Sequence, residues 1–354
     1  MTRQVFCGRI PIGGGAPVSI QSMTNVDTRD EVRLLAQIRE LEEAGCDIVR
    51  VAVPDEEAAR SFARVRKQTE MPLVADIHFS WKLAVEAIRA GADKIRINPG
   101  NIGGEDKLAR VVEAAGEAGI PIRVGVNSGS LEKDMIEKYG GVTAVGLAES
   151  AVKTLDMIEK MGFHDLVLSI KSSDVRMTYE AHMLVRSMTD HPLHIGITES
   201  GTPAMGKTKS AIGIGSLLLA GVGDTIRVSL TDDPVNEVLF GRQILEAVGL
   251  REKAIDIVSC PTCGRTQVPL IRLAEEAERE LAPIAAERTR EGKRPLKIAV
   301  MGCAVNGPGE AKEADYGIAG GKGEGLLFAK GEILEKLPED QLIPALIQLV
   351  REAE

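Results

Sequence analysis

Two glycine- and proline-rich turns late in the chain carry three cysteines. One is Cys260-Pro261-Thr262-Cys263-Gly264-Arg265-Thr266; the other is Met301-Gly302-Cys303-Ala304-Val305-Asn306-Gly307-Pro308-Gly309-Glu310. Thiolates on such turns ligate metals, and the carboxylate of Glu310 is spaced to complete a four-ligand shell. Cys-Pro-x-Cys-Gly alone also fits a zinc knuckle, and a Cys-x2-Cys pair fits thiol–disulfide chemistry. A zinc ribbon needs a second pair, however, and a redox pair leaves Cys303 without a part. An iron–sulfur cluster on three thiolates and one other ligand uses all three cysteines. Glu310, a hard oxygen ligand among soft thiolates, would be the weak corner that a substrate oxygen can take. Iron at that corner would serve as Lewis acid and electron conduit.

A second set of reactive side chains is spread through the first 250 residues. Short β-branched runs alternate there with amphipathic helical stretches. The spacing predicts strands over 18–23, 48–53, 73–78, 94–98, 122–127, 166–171, 193–198 and 225–230, with helices such as 30–44, 81–90, 107–118 and 233–248. Several helices end at glycine (Ala44-Gly45, Ala90-Gly91, Ala118-Gly119), as helix C-termini prefer. Eight β-α units in about 250 residues are the count and size of a TIM-type (β/α)8 barrel. In a doubly wound open sheet the central strands would be apolar on both faces. Here aliphatic and polar residues take turns: Val49 and Val51 flank Arg50, Ile95 and Ile97 flank Arg96, and Leu168 and Ile170 flank Ser169. An antiparallel sheet with one wet face gives the same alternation, but helices between successive strands favour parallel crossovers. The polar set therefore points into the barrel, towards its catalytic mouth.

That mouth would carry Arg50, Arg96, Arg123, Lys171 and Arg227, with few carboxylates beyond Asp76 and Glu199. Five cations converging on one cavity of an acidic chain imply a polyanionic ligand, a phosphorylated or diphosphorylated small molecule. His78 shares a strand face with Asp76; His164, His182, His191 and His194 show no metal spacing and read as structural. Glu199, just past the seventh strand, is the acid–base candidate, although a helix N-terminal carboxylate would look the same. Cys7 and Cys46 read as ordinary buried cysteines. Gly201-Thr202-Pro203-Ala204-Met205-Gly206-Lys207-Thr208 matches the P-loop pattern, but it follows the seventh strand of eight. The expectation there is a glycine-rich anion-binding or mobile loop rather than a nucleotide site.

The bulk properties exclude other classes. With 354 residues the chain can form one large domain and a small one, and a formal charge of −9 disfavours nucleic acid or anionic membrane as partner. Five cysteines are too few, and odd in number, for a disulfide scaffold. Residues 1–21 lack a basic-then-apolar signal pattern, so a cytoplasmic, reducing location is expected. The domain boundary is expected at 250/251. Residues 1–250 form the barrel, and 251–354 a small α+β domain with strands over 254–259, 296–301 and 325–330. Its helices are expected over 268–290, kinked at Pro283, and over 339–352.

CPTCGRT together with MGCAVNGPGE resembles the bacterial 4-hydroxy-3-methylbut-2-enyl diphosphate synthase family of the methylerythritol phosphate route to isoprenoids. The resemblance covers the whole chain and fits the two-domain bacterial form. It implies a [4Fe-4S] cluster on Cys260, Cys263, Cys303 and Glu310. The implied reaction is the two-electron reductive ring opening of 2-C-methyl-D-erythritol 2,4-cyclodiphosphate, with loss of water. Reduced flavodoxin or ferredoxin is the implied donor. The implied substrate site comprises Arg50, Asp76, His78, Arg96, Asn98, Arg123, Asn127, Lys171, Glu199, Arg227 and Ser229, with Asn306 beside the cluster.

Assembly follows from the tether. The eighth barrel helix runs from the mouth to the opposite face, about 24 Å for its length. A linker of about seven residues reaches at most about 25 Å and would have to pass around the barrel wall. The cluster thus meets a mouth more easily in a second copy, which gives a head-to-tail homodimer with two shared sites.

Overall fold

A repeated aspartate sets the strand register at the floor of the N-terminal half. Asp47, Asp93 and Asp224 each precede a strand. Each accepts an amide at the start of the neighbouring strand: Ile20 N at 2.7 Å, Leu73 N at 2.8 Å and Leu193 N, just before β9, at 2.8 Å. A buried amide at a strand start needs such a partner, and a one-residue slip would lose it. The preceding glycines, Gly45, Gly91 and Gly221, have φ of 90°, 92° and 68°, so each helix ends in a conformation that side chains disfavour.

A computed structural model of the chain describes residues 1–303 and 311–353, which divide into two units, Met1–Leu250 and Arg251–Glu354. The first opens with an antiparallel hairpin, β1 (Gln4–Cys7) and β2 (Ile10–Gly13). Then follow β3 (Ser19–Met23), α1 (Glu31–Glu43), β4 (Ile48–Ala52), α2 (Glu56–Arg66), β5 (Leu73–Asp76), α3 (Trp81–Arg89), β6 (Lys94–Ile97), α4 (Pro99–Ile102) and α5 (Glu105–Ala118). The unit continues with β7 (Ile122–Asn127), α6 (Lys133–Tyr139), α7 (Ala144–Glu159), β8 (Leu166–Lys171), α8 (Val175–Arg186), β9 (His194–Ile195), α9 (Pro203–Leu219), β10 (Thr225–Ile226) and α10 (Pro234–Ala247).

β3 to β10 pair in parallel in barrel order, and a bridge between Leu168 and Leu193 closes the ring from β8 to β9. The fold is a TIM-type barrel, and the antiparallel alternative is excluded. Outward aliphatic residues such as Val49, Val51, Ile95, Ile97, Val124, Leu168 and Ile170 pack in one core with the helices. Side chains of Asp30, Asp55, Ser80, Thr143, Asp174 and Asp233 cap the N-termini of α1, α2, α3, α7, α8 and α10. Beneath the barrel the hairpin acts as a plug. Val5, Cys7 and Ile12 pack on the inward residues Ile48, Val74 and Val167.

The second unit contains β11 (Ile255–Ser259), α11 (Leu270–Glu291), β12 (Leu296–Met301), β13 (Tyr316–Gly320), β14 (Glu324–Ala329), β15 (Glu332–Pro338) and α12 (Leu342–Arg351). Its sheet runs β11-β12-β13-β14-β15, parallel over the first three strands and antiparallel thereafter. α11 and α12 cover one face through Leu273, Leu281, Leu342 and Leu346 against Ile298, Val300 and Ile318. Pro283 lies within a continuous α11. β13 and β15 were not expected: β13 is masked in sequence by Gly317 and Gly320, and β15 is exposed along nearly all its length. A side chain at Gly317 would place Cβ 2.3 Å from the Phe328 ring, so this glycine serves close packing inside a strand.

Candidate functional site

The register around the barrel sorts the inward side chains into layers of four drawn from alternate strands. Lowest, above the hairpin plug, are Ile48, Lys94, Val167 and Thr225. Next come Gln21, Val74, Arg123 and His194, and then Arg50, Arg96, Ser169 and Arg227. Above these lie Met23, Asp76, Gly125 and Gly196, followed by Ala52, Asn98, Lys171 and Ser229. The cations of the sequence reading thus occupy one interior, at three depths.

Their pairing is uneven. Asp76, buried between two guanidinium groups, lies 3.6 Å from Arg50 Nε and 3.2 Å from an Arg96 terminal nitrogen. Burial works to raise its pKa, but Arg50, Arg96 and Arg123 outweigh it and hold the carboxyl well below its ordinary range. Arg227 reaches Glu237 of α10 at 3.4 Å. The Met23 sulfur accepts from Arg50 Nε at 3.1 Å and a terminal nitrogen at 2.8 Å. Arg123 is fully buried, and none of its three guanidinium nitrogens has a hydrogen-bond partner among the described residues. One nitrogen each on Arg50, Arg96 and Arg227 is likewise unpartnered.

The proton equilibria report the same imbalance. Burial first, then Arg50, Arg96 and the other cations, push Arg123 and Lys171 well below their ordinary values. Burial pulls Arg50 down to about 9, with Asp76 opposing. A guanidinium keeps its proton, so the depressions at Arg50 and Arg123 express first the cost of burying the charge and then repulsion from the neighbouring cations. Buried polar groups are nearly always partnered and buried charges are paired. Among the described residues the interior thus carries more positive charge and more free donors than its carboxylates satisfy. Gly125 gives it room: a Cβ there would sit 3.3 Å from an Arg96 terminal nitrogen and 3.3 Å from Ser169 Oγ.

The remaining barrel candidates lie around this interior. Asn127 is register partner of Lys171 and half-buried. Asn98 accepts the Gly100 amide at 3.2 Å and so caps the one-turn α4. His78 lies in the loop after β5, exposed beside Phe79 at 6.1 Å between rings, rather than at a strand end. Ser229 lies beyond β10, and its carbonyl accepts from the Ser200 hydroxyl. β9 and β10 are thus shorter than the expected 193–198 and 225–230. Glu199 is exposed in the β9–α9 loop with φ of 51°, one of two non-glycine residues with positive φ among the described residues. Such strain on a glutamate marks a position fixed by its surroundings. It is not a helix cap, because α9 starts at Pro203 behind Thr202.

That start also excludes the nucleotide P-loop. Residues 203–208 are helical instead of wrapping a phosphate, and Lys207 Nζ stands over the Phe240 ring at 5.5 Å. Cys7 and Cys46 are buried, with burial pushing their thiols up to about 11 and about 12. Met23, Gly125 and Glu237 were missed. Gly125 breaks the β7 alternation, the signal that could have found it. Glu237 is a charge on the buried side of an amphipathic helix.

In the second unit, Cys260 and Cys263 follow β11 and Cys303 follows β12, at the carboxyl ends of adjacent parallel strands. All three are free thiols. Cys260 Sγ accepts the Gly302 amide at 3.2 Å, and the Gln267 amide donates to the Gly302 carbonyl at 3.1 Å, tying the two turns together. The Arg265 amide and side chain lower the Cys263 pKa and favour its thiolate. A cleft of about 320 Å³ opens beside Cys260. Among the described residues no three His, Cys, Asp or Glu side chains are gathered to hold a metal. The fit to a soft metal or iron–sulfur group therefore rests on donor chemistry and on the pairing of the turns. Asn306 and Glu310 lie outside the described residues.

The GcpE TIM-barrel domain matches residues 2–242, and the GcpE protein C-terminal domain matches residues 256–352. The chain belongs to the GcpE family. A relative from Caldanaerobacter subterraneus subsp. tengcongensis is 56% identical over 98% of this chain and 96% of its own length; one from Symbiobacterium thermophilum is 53% identical over 99% and 93%. Both are named 4-hydroxy-3-methylbut-2-en-1-yl diphosphate synthase (flavodoxin). The dihydropteroate synthase of Yersinia pestis aligns over 70% of this chain and 98% of its own, at 13% identity with a TM-score of 0.52. That likeness concerns the fold alone. Among the described residues no helix is long and apolar enough to cross a membrane.

Two substitutions test whether the interior charge of this GcpE barrel is uncompensated. Arg123→Met should stabilise the ligand-free chain, on the order of 2 kcal/mol, and weaken anion binding; destabilisation would contradict the reading. Lys94, buried with Nζ unpartnered, has its pKa lowered to about 8, by burial first, against about 10.4 unfolded. Below pH 8 the folded chain carries the ammonium at a cost. Between pH 8 and about 10.4 only the unfolded chain retains the proton, so wild-type stability gains from rising pH. Lys94→Met should be the more stable protein at pH 7, with the gap narrowing above pH 8. A gap independent of pH in denaturant titrations would refute the assignment.

Proposed function

We propose that the chain is an iron–sulfur oxidoreductase, a 4-hydroxy-3-methylbut-2-enyl diphosphate synthase. It opens the ring of 2-C-methyl-D-erythritol 2,4-cyclodiphosphate and expels one hydroxyl as water. Two electrons reach the substrate through a [4Fe-4S] cluster from reduced flavodoxin or ferredoxin. The observation that carries the reading is the interior set Arg50, Arg96, Arg123, Lys171 and Arg227, whose charge exceeds what Asp76 and Glu237 balance. Family membership and the names of the relatives support the reaction.

In this reading residues 1–250 bind the diphosphate and residues 251–354 hold the cluster. Arg123 and Lys171 meet phosphate oxygens most strongly, because among the described residues neither is held in an ion pair. Asp76 fixes Arg50 and Arg96 so that their remaining donors face the ligand. Asn98, Asn127, His78 and Ser229 line the rim and orient the polyol, while the plug of Val5, Cys7 and Ile12 keeps bulk water from below. Glu199, held in its strained loop, is the group that moves a proton at the departing hydroxyl. Cys260, Cys263, Cys303 and Glu310 would hold the cluster, with Asn306 beside it; when bound it supplies single electrons and a Lewis acid. The enzyme works in the cytoplasm, where thiols stay reduced.

The site is shared between two chains in a head-to-tail homodimer. α10 carries the backbone to the face opposite the mouth, and a linker of seven residues, 248–254, reaches at most about 25 Å, which favours a mouth in a second copy. Complementation tests cluster and sharing together. Cys303→Ser should lack iron, sulfide and activity, while Arg123→Met should retain about four irons per chain and be inactive. Mixed and reassembled, the two variants should regain activity, since one hybrid site has both partners intact. A colourless, zinc-loaded wild type would defeat the cluster, and no recovery on mixing would defeat the shared site.

A further inference from the structure

Glu237 of α10 is outside the inward layers, yet it meets them from behind. It is only 5% exposed, on a helix otherwise packed through Val238, Ile244 and Leu245. Its Oε1 accepts the Leu230 amide at 2.9 Å. Its Oε2 accepts from the Ser22 hydroxyl at 3.1 Å and lies 3.4 Å from an Arg227 terminal nitrogen. A carboxylate so far from water persists only when it is partnered, and these three partners come from β3 and from the segment after β10.

Each contact ends beside the anion-receiving interior. Leu230 follows Ser229, whose carbonyl also accepts from Ser200, so the segment after β10 is fixed from both sides. Ser22 precedes Met23, whose sulfur contacts Arg50 and lies 3.8 Å from the second terminal nitrogen of Arg227. Arg227 is thereby gripped at both terminal nitrogens, with Nε left unpartnered. An unheld guanidinium would turn away from Arg50, which lies near enough to repel it.

We propose that Glu237 is a positioning residue for the anion site: it aims Arg227 and anchors the Ser229 backbone without touching substrate. The inference rests on the substrate-site reading above. It assigns α10 a functional role that its amphipathic pattern hides.

The test is a double-mutant cycle on the cluster-loaded enzyme, with KM for the cyclic diphosphate and calorimetric affinity for inorganic pyrophosphate as readouts. Glu237→Gln keeps an oxygen for the Leu230 amide but turns an amide nitrogen towards Arg227. It should raise KM and weaken pyrophosphate about fivefold or more, with kcat and iron content close to wild type. In an Arg227→Ala background the same substitution should change neither affinity further. Glu237→Asp, which keeps the charge on a shorter arm, should recover part of the loss and serves if Glu237→Gln is poorly folded. Full additivity of Glu237→Gln with Arg227→Ala, or unchanged affinity in both Glu237 variants, would overturn the role of Glu237. Unchanged affinity in Arg227→Ala alone would instead overturn the substrate-site reading, and this inference with it.

Discussion

The constraint on which the barrel depends is like charge held out of water. Arg50, Arg96, Arg123, Lys171 and Arg227 share one interior, with Lys94 in the layer below. Among the described residues the carboxylates that pair with them are Asp76 and Glu237. Two unit charges several ångströms apart interact by a few kcal/mol at the effective dielectric of such sites, so repulsion summed over the set opposes folding. What holds it is the shell around it: aliphatic strand faces packed on the helices, aspartates fixing the register below, and the hairpin plug. Stability is supplied outside the interior and given up inside it, which is the pattern of a site kept for function rather than for stability.

Both candidate centres use the same end of the same kind of element. Arg96 and Lys171 lie towards the carboxyl ends of parallel barrel strands and Arg227 just past one, with Arg123 deeper near the start of β7, and the cysteine turns follow the carboxyl ends of β11 and β12. Parallel strands put successive loops on one side, so residues distant in sequence converge there. Gly302 illustrates the economy: its amide donates to Cys260 Sγ while its carbonyl accepts from Gln267, so one residue couples both turns.

Much of this was legible in the chain. Strand alternation placed Arg50, Arg96, Arg123 and Lys171 inside, because side-chain parity in a strand survives errors in its ends. The ends themselves were not legible. Leu193–Thr198 and Thr225–Leu230 read as long strands, but only two residues of each stay in the ladder, since Gly196 and the loops beyond follow tertiary contacts. β15 carries too few buried residues to show a pattern, and Gly317 hides β13 because its reason is the Phe328 ring. Glu237 and Met23 were invisible for a related cause: their partners lie on other elements, so no local spacing reveals them. The lysine of the P-loop-like segment shows the converse, a complete local pattern overruled by a helix beginning inside it.

The most direct measurement is the unfolding midpoint of the wild-type chain in rising inorganic pyrophosphate, at fixed ionic strength. An interior with uncompensated cations predicts a midpoint that climbs with pyrophosphate. A ligand at a hundred times its dissociation constant adds about 2.7 kcal/mol if it binds only the folded state. A midpoint that does not move, or that moves equally with sodium chloride of matched ionic strength, would contradict the account.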